Sequence, residues 1–121
     1  MGFTERIEYL TDFESIKTYL EEQDCFHDYS LGNIHINERE RKIKLFIEDV
    51  TDYKKYPKEG TGKIWDIEVA DYFNLKIDVD SAMPFWITEV TSLNDVKGLS
   101  VELDNGYIEF EFSSIKIGIP S

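Results

Sequence analysis

On both sides of Asn105-Gly106 the chain alternates, with Leu99, Val101 and Leu103 before the pair and Ile108, Phe110 and Phe112 after it. Successive strand side chains point to opposite faces, and Asn-Gly is the preferred two-residue turn between antiparallel strands. A turn at these two residues sets Leu103 opposite Ile108, Val101 opposite Phe110 and Leu99 opposite Phe112. All six apolar side chains then share one face, and that face must be core. On the other face Asp104 meets Tyr107, Glu102 meets Glu109 and Ser100 meets Glu111. Directly opposed carboxylates cost about 0.5 kcal/mol. A sequence built around such a hairpin folds as an antiparallel sheet with one buried side.

The rest of the chain supplies partners for that sheet. Ile34 and Ile36 alternate, as do Ile43, Leu45 and Ile47, which predicts a hairpin with Ile36 opposite Ile43 and Ile34 opposite Leu45. Leu31 falls one residue out of phase, and a bulge at Gly32-Asn33 corrects it. Trp65, Ile67 and Val69, then Leu75, Ile77 and Val79, give two strands or one long bent one. A strand from about Phe85 to Thr91 follows Pro84, and Ile115, Ile117 and Ile119 extend the sheet after a bend at Ser113-Ser114. Near the start, Thr11-Asp12-Phe13-Glu14 has capping-box spacing, and Phe13, Ile16 and Leu20 recur at helical period, which predicts one helix ending near Gln23. Phe3, Ile7 and Leu10 fit either a further turn or an extended arm. The expected architecture is α+β and mostly antiparallel: one N-terminal helix packed on a rolled sheet or sandwich of about seven strands. Residues 1–121 read as a single domain.

Charge narrows the partners. Against 13 Lys and Arg stand 25 Asp and Glu, a net charge of −12. The excess is uneven: residues 1–38 and 64–121 are strongly acidic, while residues 39–63 are slightly basic. Nucleic acid is disfavoured, because phosphate binding needs Lys and Arg gathered on one face. A basic partner is attracted and steered, although acidity also serves solubility. The single Cys25 excludes an internal disulfide, and neither a secretory signal nor a membrane-length apolar run is recognised, so a cytoplasmic setting is expected.

Several stretches imitate catalytic or binding sites. Residues Cys25 to Ile36, CFHDYSLGNIHI, bring together a thiol, two imidazoles and a carboxylate. Cys25 and His27 would share one side of an extended segment, yet nucleophile and base normally converge from distant segments. One Cys and two unevenly spaced His do not make a zinc site. Gly60 to Lys63, GTGK, ends like a phosphate-binding loop, but Pro57 stands where its first glycine belongs and Ile64 where a Ser or Thr is required. Asp78 and Asp80 open like a calcium loop that Ala82 breaks. No catalytic residue, metal ligand or cofactor is therefore assigned. The partner-binding candidates are Glu102, Asp104, Glu109 and Glu111, placed on one surface by the hairpin, with Tyr53 and Tyr56 in the aperiodic Thr51 to Gly62 segment.

Phe26-His27-Asp28, followed by Leu31 and Ile34 and an alternating hairpin, resembles a motif of small immunity proteins from bacterial polymorphic-toxin and contact-inhibition systems. The strand Ile64 to Val69, the step Pro84-Phe85-Trp86 and the strands from Leu99 to Ile117 look like the same families. The resemblance implies a non-catalytic protein that binds and neutralises a cognate toxin, commonly a basic nuclease. It also implies structural roles in the opening motif: Asp28 bonding backbone amides at the start of the strand, and His27 partly buried against a polar partner. The alternative is a small ligand-binding or scaffolding domain with a pocket near Trp65 or Trp86.

Overall fold

The computed structural model describes residues 6–49, 61–80 and 85–120. Within these residues nine strands and one α-helix follow in the order β1 (Arg6–Leu10), α1 (Phe13–Glu22), β2 (Ser30–Asn37), β3 (Lys42–Glu48), β4 (Ile64–Ala70), β5 (Phe73–Val79), β6 (Phe85–Ser92), β7 (Gly98–Leu103), β8 (Gly106–Glu111) and β9 (Ser114–Pro120). A short 3₁₀ turn, Asp24–Phe26, lies between α1 and β2. All pairings are antiparallel, and the strands form one open sheet in the order β1-β9-β4-β3-β2-β6-β7-β8-β5.

The mostly antiparallel sheet with one helix agrees with the sequence reading, while the count and the closure do not. Among the described residues there are nine strands rather than about seven, and they form an open sheet rather than a sandwich. Arg6–Leu10 is a strand on β9, and positive φ at Asp71 separates β4 from β5. Phe3, Ile7 and Leu10 are spaced four and three apart, which suits a helical turn as much as an arm, and only pairing with β9 makes the segment a strand.

The β2–β3 hairpin has the predicted register, Ile36 opposite Ile43 and Ile34 opposite Leu45, with the bulge between Leu31 and Asn33. The last hairpin does not. Leu103 pairs with Gly106, Val101 with Ile108 and Leu99 with Phe110, so the turn is Asp104-Asn105 and β8 is displaced by two residues. A two-residue displacement keeps every side chain on its face, and Leu99, Val101, Leu103, Ile108, Phe110 and Phe112 are all buried. It changes every cross-strand neighbour. Gly106 serves another purpose than the turn: a Cβ there would lie 1.9 Å from the Asp78 carbonyl oxygen, so the missing side chain lets β5 pair with β8.

One core runs along the concave side of the sheet, from Ile115 and Ile117 through Ile43 and Leu45 to Val101 and Phe110, with Ile16 and Leu20 of α1 set into it. The N-cap of α1 is Asp12 rather than Thr11. Its carboxylate accepts from the Ser15 amide at 3.0 Å and the Ser15 hydroxyl at 2.9 Å, which holds the Asp12 carboxyl below its ordinary range. Phe13 meets Phe112 edge-on, and the Tyr19 hydroxyl accepts from Trp65 Nε1 at 2.8 Å. Trp65 stacks on Tyr29 and packs against Phe26, which fastens the Asp24–Tyr29 segment to the sheet. Among the described residues, no helix is long and apolar enough to cross a membrane.

Candidate functional site

The convex face of the sheet has two halves of different electrostatic character. On β3, β4 and β9 the signs alternate: Lys44 stands opposite Glu68 and Glu68 opposite Lys116, with Lys116–Glu68 and Lys44–Asp66 contacts of 3.9 Å. On β6, β7 and β8 the signs coincide. Glu89 stands directly opposite Glu102, and neither has a cationic partner within ion-pair distance among the described residues. Like charges in register are unfavourable and oppose the packing that both strands gain on their concave side.

Tyr107 sits beside this rung. Its cross-strand neighbours are Glu102 on β7 and Asp78 on β5, so the exposed ring is flanked by carboxylates on both sides. One step along, Ser100 and Lys76 flank Glu109, and Lys76 Nζ is 3.6 Å from its carboxylate. Another step along, Asn74 Nδ2 donates to Glu111 at 2.5 Å. A shallow depression of about 460 Å³ opens here, bounded by Ser100, Glu102, Tyr107 and Glu109. Two carboxylates in register on either side of an exposed phenol suit an ammonium or guanidinium group, which can gain both ion pairing and cation–π attraction.

Of the sequence candidates, Glu102 and Glu109 lie together in this depression. They are diagonal rather than opposed, because the register moved. Glu111 is engaged by Asn74, and Asp104 lies in the turn, its amide donating to the Trp86 carbonyl at 3.0 Å. Tyr53 and Tyr56 lie outside the described residues. Glu89 and Asp78 are not among the sequence candidates because each joins the site through pairing between distant segments, and Tyr107, on the same outward face, was not singled out because the turn read from Asn105-Gly106 set it opposite Asp104 rather than Glu102. The one local signal was the outward phase of Tyr107 within its own strand.

The segment that imitates a catalytic site has a structural geometry. Asp24, Cys25, Phe26 and Asp28 all adopt left-handed φ, which turns the chain sharply into β2. Asp28 N donates to the Ile87 carbonyl at 2.9 Å, and Ile87 N to Tyr29 at 2.7 Å. His27 is exposed rather than partly buried, and its Nδ1 donates to the Thr88 carbonyl at 2.8 Å, which fixes the proton on that nitrogen. The Asp28 carboxylate lies 3.6 Å from His27 Nε2, so the expected bonds from its side chain to backbone amides are replaced by this contact. Burial, and then the charges of Glu89, Asp24 and Glu21, raise the Cys25 thiol above its ordinary pKa, the reverse of what activates a thiol nucleophile. The other lookalike is also structural: Thr61 Oγ1 donates to the buried Asp49 carboxylate at 2.7 Å, and Gly62 N donates to the Asp49 carbonyl at 2.9 Å, which ties together the ends of β3 and β4.

No family model matches the chain, and no curated protein or solved structure matches it.

Proposed function

We propose that this protein is a non-catalytic binding protein of the immunity type, which neutralises a basic bacterial toxin by covering it with the acidic convex face of β5 to β8. The observation that carries this reading is the Glu89–Glu102 rung beside Tyr107, where repulsion is retained in a sheet whose other half alternates charge. A cationic side chain seated against Tyr107 relieves that repulsion. Binding of this kind is steered over long range and falls with added salt. The toxin is the partner implied by the Phe26-His27-Asp28 resemblance, and the cytoplasm is the setting that the single Cys25 and the unrecognised secretory signal lead us to expect.

The test is co-expression with the toxin domain encoded by a neighbouring reading frame. Growth should be rescued by the unaltered protein and not by Glu102→Lys combined with Tyr107→Ala, both on exposed positions that leave the core intact. Full toxicity in the presence of the folded, unaltered protein removes this reading.

A second reading, a small-molecule binding domain, is favoured by a separate feature. A cavity of about 650 Å³ lies between the start of α1 and the β6–β7 connection, lined by the apolar Phe13, Phe112 and Leu93 together with Lys17 and Lys97. That size is within the range of small-ligand sites. Trp65 and Trp86 do not line it, which moves the expected pocket elsewhere. A thermal-shift screen separates the two readings, since stabilisation by a small molecule supports this one and stabilisation by a protein partner alone supports the first.

A further inference from the structure

Strand β5 closes one end of the sheet. Among the described residues it pairs only with β8, and its other edge carries main-chain donors and acceptors with no strand beside them. Natural sheets blunt such edges with bulges and inward or central lysines. Here the bulge is confined to Phe73–Lys76, which leaves Lys76–Val79 regular. The one lysine, Lys76, is drawn onto Glu109 rather than projecting across the edge.

Strand β2 presents a similar edge. It pairs with β6 only at Ser30 and Leu31, so the bend in the sheet separates the two strands beyond that point. The second half of β2 stands across a cavity of about 750 Å³ from β5, with Ile36 on one wall and Leu75 and Ile77 on the other. Ile77 is 48% exposed and Ile36 38%, although both are paired with buried isoleucines, Ile108 and Ile43, on the concave side. They are core-phased side chains with nothing packed above them.

We propose that the edge of β5 receives an extended strand of the basic partner, whose alternate side chains are apolar and cationic. This deepens the acidic-face reading and rests on it. The occupant follows from the two faces it would join. An added strand 4.7–4.9 Å from β5 continues the pleat, so every second side chain turns inward onto Ile77 and Ile36, and the others turn outward beside Asp78 and Lys76 of β5, with Tyr107 and Glu109, which already engages Lys76, one strand further in on β8. Main-chain hydrogen bonds supply affinity, and the two-faced alternation supplies selectivity. The chain's own described ends do not supply this strand: β1 lies at the far side of the sheet, and Asp49 and Thr61 meet at the opposite end of β3 from the β2–β3 turn.

The experiment uses the full chain with three capped synthetic peptides: alternating lysine and valine, the same sequence fully N-methylated, and the same residues in two blocks. Binding is read by calorimetry and by hydrogen exchange of β5. The alternating peptide should bind, slow exchange over Phe73–Val79, and lose at least about tenfold in affinity when N-methylated or rearranged in blocks, because main-chain pairing and alternation are both removed. Ile77→Ser with Ile36→Ser should weaken it similarly. Equal binding of the N-methylated peptide, or protection that bypasses β5, overturns strand addition, and a Glu102→Gln effect then shows that the acidic-face reading stands without it. Absence of binding by all three peptides overturns both.

Discussion

Gly106 and Asp78 meet backbone to backbone: a methyl group on the Gly106 Cα would lie 1.9 Å from the Asp78 carbonyl oxygen and 2.6 Å from the Val79 Cα. Neither neighbour is a flexible side-chain end, so Gly106→Ala must push β5 off β8. The φ of +148° at this position adds strain for any residue with a Cβ. The variant should lose about 2 kcal/mol or more in urea denaturation, with faster hydrogen exchange over Phe73–Val79. Unchanged exchange in β5 would show that the close approach is not needed.

Glu102 opposes Glu89 on an exposed surface, so neutralising one of them should help the free protein. Glu102→Gln is expected to raise stability by about 0.5 kcal/mol at low ionic strength, and the gain should vanish in high salt as screening takes over. The same substitution should weaken binding of a lysine-rich peptide. A gain that persists at high salt would assign the effect to something other than charge.

Tyr19 accepts the Trp65 indole N–H at 2.8 Å inside the contact between helix and sheet. Tyr19→Phe keeps the ring and removes the acceptor, leaving a largely buried donor unmatched. The expected loss is about 1 kcal/mol, read from the urea midpoint by tryptophan fluorescence, since Trp65 reports on its own environment. A stability equal to the parent would mean that the indole finds another acceptor.

Burial raises the pKa of Tyr19, partly offset by its bond from Trp65, and burial followed by the Asp49 charge raises that of Tyr29. Both native values therefore lie above the unfolded one, near 10. Folding favours the protonated phenols, so their contribution is intact below about pH 10 and declines as pH rises through the native values. Tyrosinate absorbance should show two late-titrating groups whose ionisation coincides with loss of near-ultraviolet circular dichroism. Full ionisation below that loss would contradict the packing around Trp65.

The β2–β3 register was legible because both of its strands are continuous alternations and a single out-of-phase leucine locates the bulge. The last hairpin was half legible. Its faces followed from alternation, but Asn105-Gly106 carries two meanings, a turn or a close backbone approach, and only the position of β5 distinguishes them. Glu102 and Glu109 were placed on one face for the same reason that the core was. Glu89 and Asp78 reached the site through the pairings β6–β7 and β5–β8, which local pattern does not encode.

Alternation along each segment thus settled by itself which side chains face the core and which face water, because strand geometry imposes a period of two whatever the neighbours are. The order of nine strands, the opposition of two glutamates and the open edge of β5 were decided only in the tertiary structure. Each depends on which distant segments bury one another's apolar faces, and many orders of the same strands satisfy the same local pattern.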